Sequence, residues 1–299
     1  MKLLVGRRCC PLKIPLAHLV VVLMYKHMRW EPANPGHISA DRLVLSEGHG
    51  VPIIYAACAD LGVAIEKPDG ALRPMTREDA MTLRAIDSVI DGHPNPAEGF
   101  PFFDAATGSL GQGLSVAAGI IAAGKLDKLD KRVFCLIGDG ESREGQVWEA
   151  AMAASHYNLD TITAIVDRNR IQNDRFVSQV MDIEPLASKW RSFGWRVVGA
   201  RGHSFPSLQK AFAQANHTEG RPTVIIADTV KGKGVSFMED NPDFHGKPPN
   251  REQFVKAMQD IGYSVVDTIS EMKDFGFSYE AVIDTLEAAG QQELVSAAR

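Results

Sequence analysis

From residue 133 onward, apolar runs and helical spacings alternate in strict order. Residues 133–137 form a short apolar run that stops at Gly138, and 144–157 bring Val147, Trp148, Ala151 and Met152 round at helical intervals. The alternation continues with a strand at 161–166, a helix at 185–193, a strand at 195–199, a helix at 205–216 and a strand at 223–227. Four strands of near-continuous Val/Ile character predict an α/β fold, a doubly wound parallel sheet covered by helices on both faces, with ligands at the carboxyl ends of the strands. The first half reads as more helical, at 15–28, 51–61 and 110–125, and a Thr76–Asp79 capping box opens a further helix to 86. The loops between these helices carry His49 and His93.

Composition narrows the class. The chain has 299 residues, 45% of them hydrophobic, and 32 Lys plus Arg against 37 Asp plus Glu for a net charge of −5. That is ample chain for a buried core, and the overall charge gives no support to a nucleic-acid surface. Residues 250–299 hold nine acidic and four basic side chains, which marks them as an acidic helical appendage to a main domain at 1–249. Cysteines 9, 10, 58 and 135 make no CxxC pair, and Cys135 lies within an apolar run, so a buried reduced thiol and a cytoplasmic chain are expected. Basic residues at 2, 7 and 8 precede the apolar stretch 14–24, as in a signal peptide. That stretch contains Pro15 and His18 and is well short of the ~20 residues of a membrane span, so a core helix and no membrane association are expected.

The chemical signal is Gly138-Asp139-Gly140-Glu141, after a strand and before a helix. Glycines there admit a ligand to the backbone, and a helix N-terminus favours an anion. A carboxylate beside an anion requires an intervening cation, so Asp139 suits a metal, and hard oxygens with phosphate specify Mg²⁺ or Ca²⁺. A second donor is expected at the next strand end, where Asp167-Arg168-Asn169-Arg170-Ile171-Gln172 begins after 161–166. Asn169 lies 30 residues beyond Asp139, one helix plus one strand. The Walker pattern is absent, and the next glycine after Gly140 is Gly145, which misses the dinucleotide fingerprint.

The run GDGESREGQVWEAAMAASHYNLDTITAIVDRNRIQND at 138–174 resembles the thiamine-diphosphate (ThDP) motif of transketolases, as do, in family order, DRLVLSEGHG (41–50), GHP (92–94), TGSLGQG (107–113), TVKGKGVSF (229–237) and His245-Gly246. The resemblance implies the pyrophosphate-binding fold of that family. Asp139, Asn169 and the carbonyl of Ile171 would hold Mg²⁺, with Ca²⁺ a possible substitute. The ThDP contacts would be Gly138, Asp139, Gly140, Glu141, Asn169 and Ile171, together with Gly108, Ser109 and Leu110 on the aminopyrimidine side and His49, Lys231 and His245 on the diphosphate and reacting-carbon side. His49, His93 and His245 would be catalytic, His93 facing the substrate hydroxyls; Lys233 is left open.

Two departures accompany the resemblance. The family's early Ser-Gly-His-Pro falls on Arg7-Arg8-Cys9-Cys10, so one histidine is missing, and only the first half of a full-length transketolase is matched. The expectation is the N-terminal subunit of a split transketolase that moves a two-carbon ketol unit from a ketose phosphate to an aldose, with a pyrimidine-binding C-terminal subunit as partner in an A₂B₂ assembly. The alternatives are a subunit of another ThDP enzyme, of deoxyxylulose-phosphate synthase or 2-oxoacid dehydrogenase type, and a non-catalytic ThDP-binding subunit.

Overall fold

The computed structural model describes residues 14–298 apart from 68, 174, 275–277 and 289. Five parallel strands form the central sheet: β1 (Arg42–Leu45), β2 (Val133–Gly138), β3 (Ile162–Arg168), β4 (Arg196–Arg201) and β5 (Thr223–Asp228). Their spatial order is β1-β2-β3-β5-β4, with Gly138 of β2 registered on Asp167 of β3. The sheet therefore has one strand more than the four expected. The extra strand, β1, lies within the loop motif at 41–50; it is a four-residue edge strand flanked by Asp41 and Ser46, too short to stand out in the hydrophobic pattern.

Side chains alternate across the sheet, and each face has its own core. Leu43, Leu45, Phe134, Leu136, Ile165 and Ile225 pack against helices α1 (Ile14–Val22), α2 (Val51–Leu61) and, further along the chain, 205–216. Val44, Val133, Cys135, Ile137, Ala164 and Val224 pack against α3 (Gln112–Leu126), α4 (Gly145–His156) and α5 (Leu186–Ser192). Helices on both faces explain why the strands read as unbroken apolar runs. The helix expected at 15–28 is present, with its last turn wound as a π-helix over Leu23–His27. The one opened by the Thr76 capping box stops at Met81, where Thr82 turns its hydroxyl back onto Asp79 and Arg84 adopts a left-handed backbone.

Cys58 and Cys135 are buried free thiols, and burial pushes both well above the ordinary thiol range. Cys9, Cys10 and the 7–10 departure lie outside the described residues. Among the described residues, no helix is long and apolar enough to cross a membrane. Four helices follow residue 250: Arg251–Asp260, Val265–Asp274, Tyr279–Ala288 and Gln292–Ala298. They share a third apolar cluster with Val235 and Met238, and Arg77 pairs with Glu271. The loop beyond β5 is thus braced from the far side by these helices.

Candidate cofactor site

The carboxyl ends of β2 and β3 open into a cleft of about 420 Å³ lined by Glu47, His49, Gly108, Leu110, Gly138, Asp139, Gly140, Glu141, Arg143, Glu144, Asn169, Ile171, Gln172, Asn173, Lys231 and His245. Strand register does the assembling. Because Gly138 sits beside Asp167, the residues just beyond each strand, Asp139 and Asn169, become neighbours. The backbone N–H of Asp139 donates to the Asp167 carbonyl at 3.2 Å.

Asp139 is 2% exposed. Its two oxygens accept from the N–H of Gly140 at 2.7 Å and of Arg170 at 2.6 Å. Burial, and then the charge of Asp167, push its carboxyl up to about 7 despite those bonds and Lys231. Asn169 is oriented from behind: its amide nitrogen donates to Asp167 at 2.9 Å, and its oxygen accepts from the Ile171 N–H at 3.0 Å. Asp167 is itself buried and accepts the Thr229 hydroxyl. Among the described residues no three His, Cys, Asp or Glu side chains converge as a metal site. What converges is one carboxylate, one amide oxygen and the Ile171 backbone at the same cleft wall, a hard-oxygen set suited to Mg²⁺ or Ca²⁺. Two buried carboxylates, one of them held far above its ordinary range, make a cation favourable there. Space is also kept for a ligand: a Cβ on Gly140 would lie 3.0 Å from Cβ and 3.2 Å from Oε1 of Gln172, closing this part of the cleft. The residues present therefore fit a metal-bound diphosphate.

Glu141, expected among the ThDP contacts, lines the cleft but is engaged by the protein. It accepts the Ser46 hydroxyl, the Gly111 N–H at 2.6 Å and the Gly138 N–H at 3.0 Å, tying the loop after β1, the start of α3 and the end of β2 into one unit. Burial pushes its carboxyl up to about 7. The loop at 107–111 is pinned by Thr107 donating to the Leu45 carbonyl at 2.6 Å and by Gln146 donating to the Leu110 carbonyl at 2.8 Å.

Beyond β5, Lys231 is 4% exposed and its Nζ stands 2.7 Å from Nδ1 of His245. The turn that carries it closes on Gly232, whose φ is +73° and where a Cβ would lie 2.3 Å from the Met238 carbonyl oxygen; a side chain has no room there. The His49 and His245 rings are 5.5 Å apart. The structure thus brings His49, Lys231 and His245 together with the Asp139–Asn169 wall. His93 is placed one layer back, its ring against Gly48 and Gly108, and neither it nor Ser109 lines the cleft. Lys233 points away, paired with Glu239 at 3.0 Å. Sequence reasoning missed Glu47, Asp167 and Gln172. For Asp167 a signal existed: an acid closing an apolar strand, two residues before an asparagine.

The profile of the family described as "Transketolase, thiamine diphosphate binding domain" matches residues 10–293. The chain belongs to the transketolase family. It corresponds to that family's N-terminal, ThDP-binding part, and the match continues through most of the helices after 250. The chain is 43% identical over 263 residues to the transketolase of Pongo abelii, covering 87% of this chain and 38% of that protein. It therefore spans less than two-fifths of that transketolase's length. It is 38% identical over 249 residues to the 6-deoxy-6-sulfo-D-fructose transketolase subunit SqwG of Clostridium sp. (strain MSTE9), covering 83% of this chain and 86% of that one. Transketolase from Campylobacter jejuni subsp. jejuni NCTC 11168 superposes with a TM-score of 0.72 at 27% identity, over 93% of this chain and 44% of that structure.

Proposed function

We propose that this chain is the diphosphate-binding subunit of a Mg²⁺-dependent cytoplasmic transketolase, which moves a two-carbon ketol unit from a ketose phosphate to an aldose in partnership with a pyrimidine-binding chain. The observation that carries the reading is the meeting, in one cleft, of Asp139, Asn169 and Ile171 with Lys231, His49 and His245. Asp139, the Asn169 oxygen and the Ile171 carbonyl hold Mg²⁺ against the diphosphate, and the backbone at Gly138 and Gly140 lets the diphosphate approach. Lys231 adds positive charge at the same wall, and Gly108, Ser109 and Leu110 border the aminopyrimidine. When bound, ThDP supplies the electron sink for breaking the bond next to the ketose carbonyl. His49 and His245 hold and move protons at the reacting atoms, and His93, behind Gly108, borders the substrate path. Residues 1–249 form the binding domain, and the helices at 250–299 brace the loop bearing Lys231 and His245.

Separate encoding of the partner is supported by the relative named as a transketolase subunit, most of whose length this chain covers. An A₂B₂ assembly follows if two such pairs join about a twofold axis. The test is titration of the purified chain with a candidate pyrimidine-binding chain in ThDP and Mg²⁺, following ketol transfer and mass by light scattering. Substrates are ketose phosphates, with a sulfonated ketose as the competing arm. Turnover that appears only with the partner, on a ketose phosphate, is the expected result. Full turnover by this chain alone overturns the split arrangement, and preference for the sulfonated ketose overturns the substrate class.

A further inference from the structure

Glu47 puts a carboxylate, 3% exposed, into the wall of a cleft shaped for an anionic ligand. A negative charge there opposes the diphosphate, so its presence calls for another use. Its position is firmly set. Ser46 donates its N–H to Leu136 at 2.8 Å and its hydroxyl to Glu141. Gly48, at φ +23°, lies so close to Gly108 that a Cβ would sit 2.5 Å from the Gly108 Cα. Between these fixed points the Glu47 carboxylate lies 3.6 Å from Nε2 of His49, within ion-pair reach.

Glu47, His49, His245 and Lys231 form a row across the cleft with opposite charges at its ends. At one end the Lys231 ammonium can only donate, so Nδ1 of His245 accepts and the proton of the neutral ring sits on Nε2. At the other end the Glu47 carboxylate faces Nε2 of His49, so its charge favours a proton on Nε2 and leaves Nδ1 as the acceptor atom. Two histidines with rings 5.5 Å apart are thereby given complementary roles, one accepting and one donating.

We propose that Glu47 is the positioning residue that makes His49 the proton acceptor of this site. The inference rests on the transketolase reading above. A substrate O–H breaks and an N–H forms at Nδ1 of His49, while Glu47 compensates the charge on the ring; the same proton returns to the product oxygen. In this role Glu47 works against cofactor affinity and for turnover, and that opposition distinguishes it from a residue that only maintains shape.

The experiment uses the chain assembled with its partner and compares wild type, Glu47→Gln and Glu47→Asp. Calorimetry reads ThDP binding in Mg²⁺, and steady-state kinetics read kcat and KM for the ketose phosphate. Removing the charge without changing the shape is expected to leave ThDP affinity equal or tighter by up to about fivefold while kcat falls at least about tenfold and KM moves little. Glu47→Asp, which keeps the charge, is expected to recover more of kcat than Glu47→Gln. Parallel loss of affinity and kcat in both variants, or an unchanged kcat in Glu47→Gln, overturns the proposal. Failure of the wild-type complex to bind ThDP instead overturns the functional reading, and with it this inference.

Discussion

Replacing Asp139 with asparagine should make the stability of the cofactor-free chain less sensitive to pH. In the folded chain this carboxyl is held at about 7, first by burial and then by Asp167. A raised carboxyl keeps its proton through a range where the unfolded chain has already lost it. Stability is therefore greatest at low pH and falls as pH rises through the folded value. Between about pH 5 and about pH 7 the loss amounts to on the order of 2–3 kcal/mol, at ~1.4 kcal/mol per unit. Asparagine has no such proton. It does put an amide NH₂ against the N–H of Gly140 or Arg170, both of which donate to Asp139, at a cost of about 1–3 kcal/mol that does not vary with pH. The difference between the two stability curves isolates the titration, and Glu141, which titrates in both proteins, cancels. The assay is urea unfolding of wild type and Asp139→Asn in a chelator, at about pH 5 and about pH 8. Wild type should lose roughly 2–3 kcal/mol relative to the variant over that interval, or about 4–10 °C in Tm. Adding Mg²⁺ with ThDP at the higher pH should restore wild type and not the variant. Parallel curves across the interval would refute the burial argument, and equal Mg²⁺-dependent ThDP binding by the variant would remove Asp139 from the metal site.

Glu141→Ala leaves the Ser46 hydroxyl and the Gly111 and Gly138 N–H groups without their acceptor, and should lower stability by about 2–4 kcal/mol in cofactor-free urea unfolding near neutral pH, the relief of a buried carboxyl offsetting part of the loss. An unchanged midpoint would show that the three loops hold without the clamp. Gly48→Ala brings a methyl to 2.5 Å from the Gly108 Cα and 2.7 Å from the His93 ring, forcing the 46–50 and 107–111 loops apart; ThDP affinity by calorimetry should drop at least about tenfold with the far-UV spectrum intact, and undiminished affinity would free those loops from the binding site.

The sheet was legible from residue 133 onward because parallel strands covered on both faces are apolar at every position, as Val133 to Ile137 are, and leave no ambiguity of face. Edge strand β1 was hidden for the opposite reason: four residues between Asp41 and Ser46 carry too little pattern to separate a strand from a loop. In the site, the thirty-residue interval from Asp139 to Asn169 encoded the geometry directly, since one crossover returns the chain to the adjacent parallel strand end. Glu47 and the clamp role of Glu141 were not readable, and Asp167 showed only as an acid closing an apolar strand. Their roles depend on burial and on partners far along the chain, as in the Glu141 bonds to Ser46 and Gly111, and a charged residue in a loop motif looks the same in sequence whether it faces solvent or closes a network.

On the function proposed above, the charges of the cleft would make a metal and a diphosphate need each other. Glu47, Asp139, Glu141 and Glu144 face Arg143 and Lys231 across the same space, with Asp167 buried just behind Asn169. A diphosphate alone would meet excess negative charge at short range in a poorly screened site, and a divalent cation alone would find too few protein oxygens to complete its shell. On that reading each would supply what the other lacks and their binding would be positively coupled, with Asp139, whose carboxyl burial pushes up to about 7, relieved by the cation. The loops contribute rigidity as well as charge. Glu141 ties the strand ends to α3 and the 46–50 loop, while the helices beyond residue 250 brace the Lys231 loop through Val235 and Met238. The walls of the site are thus anchored in separate apolar cores. Preorganisation of that kind lets weakly opposed charges hold a highly charged ligand in one orientation.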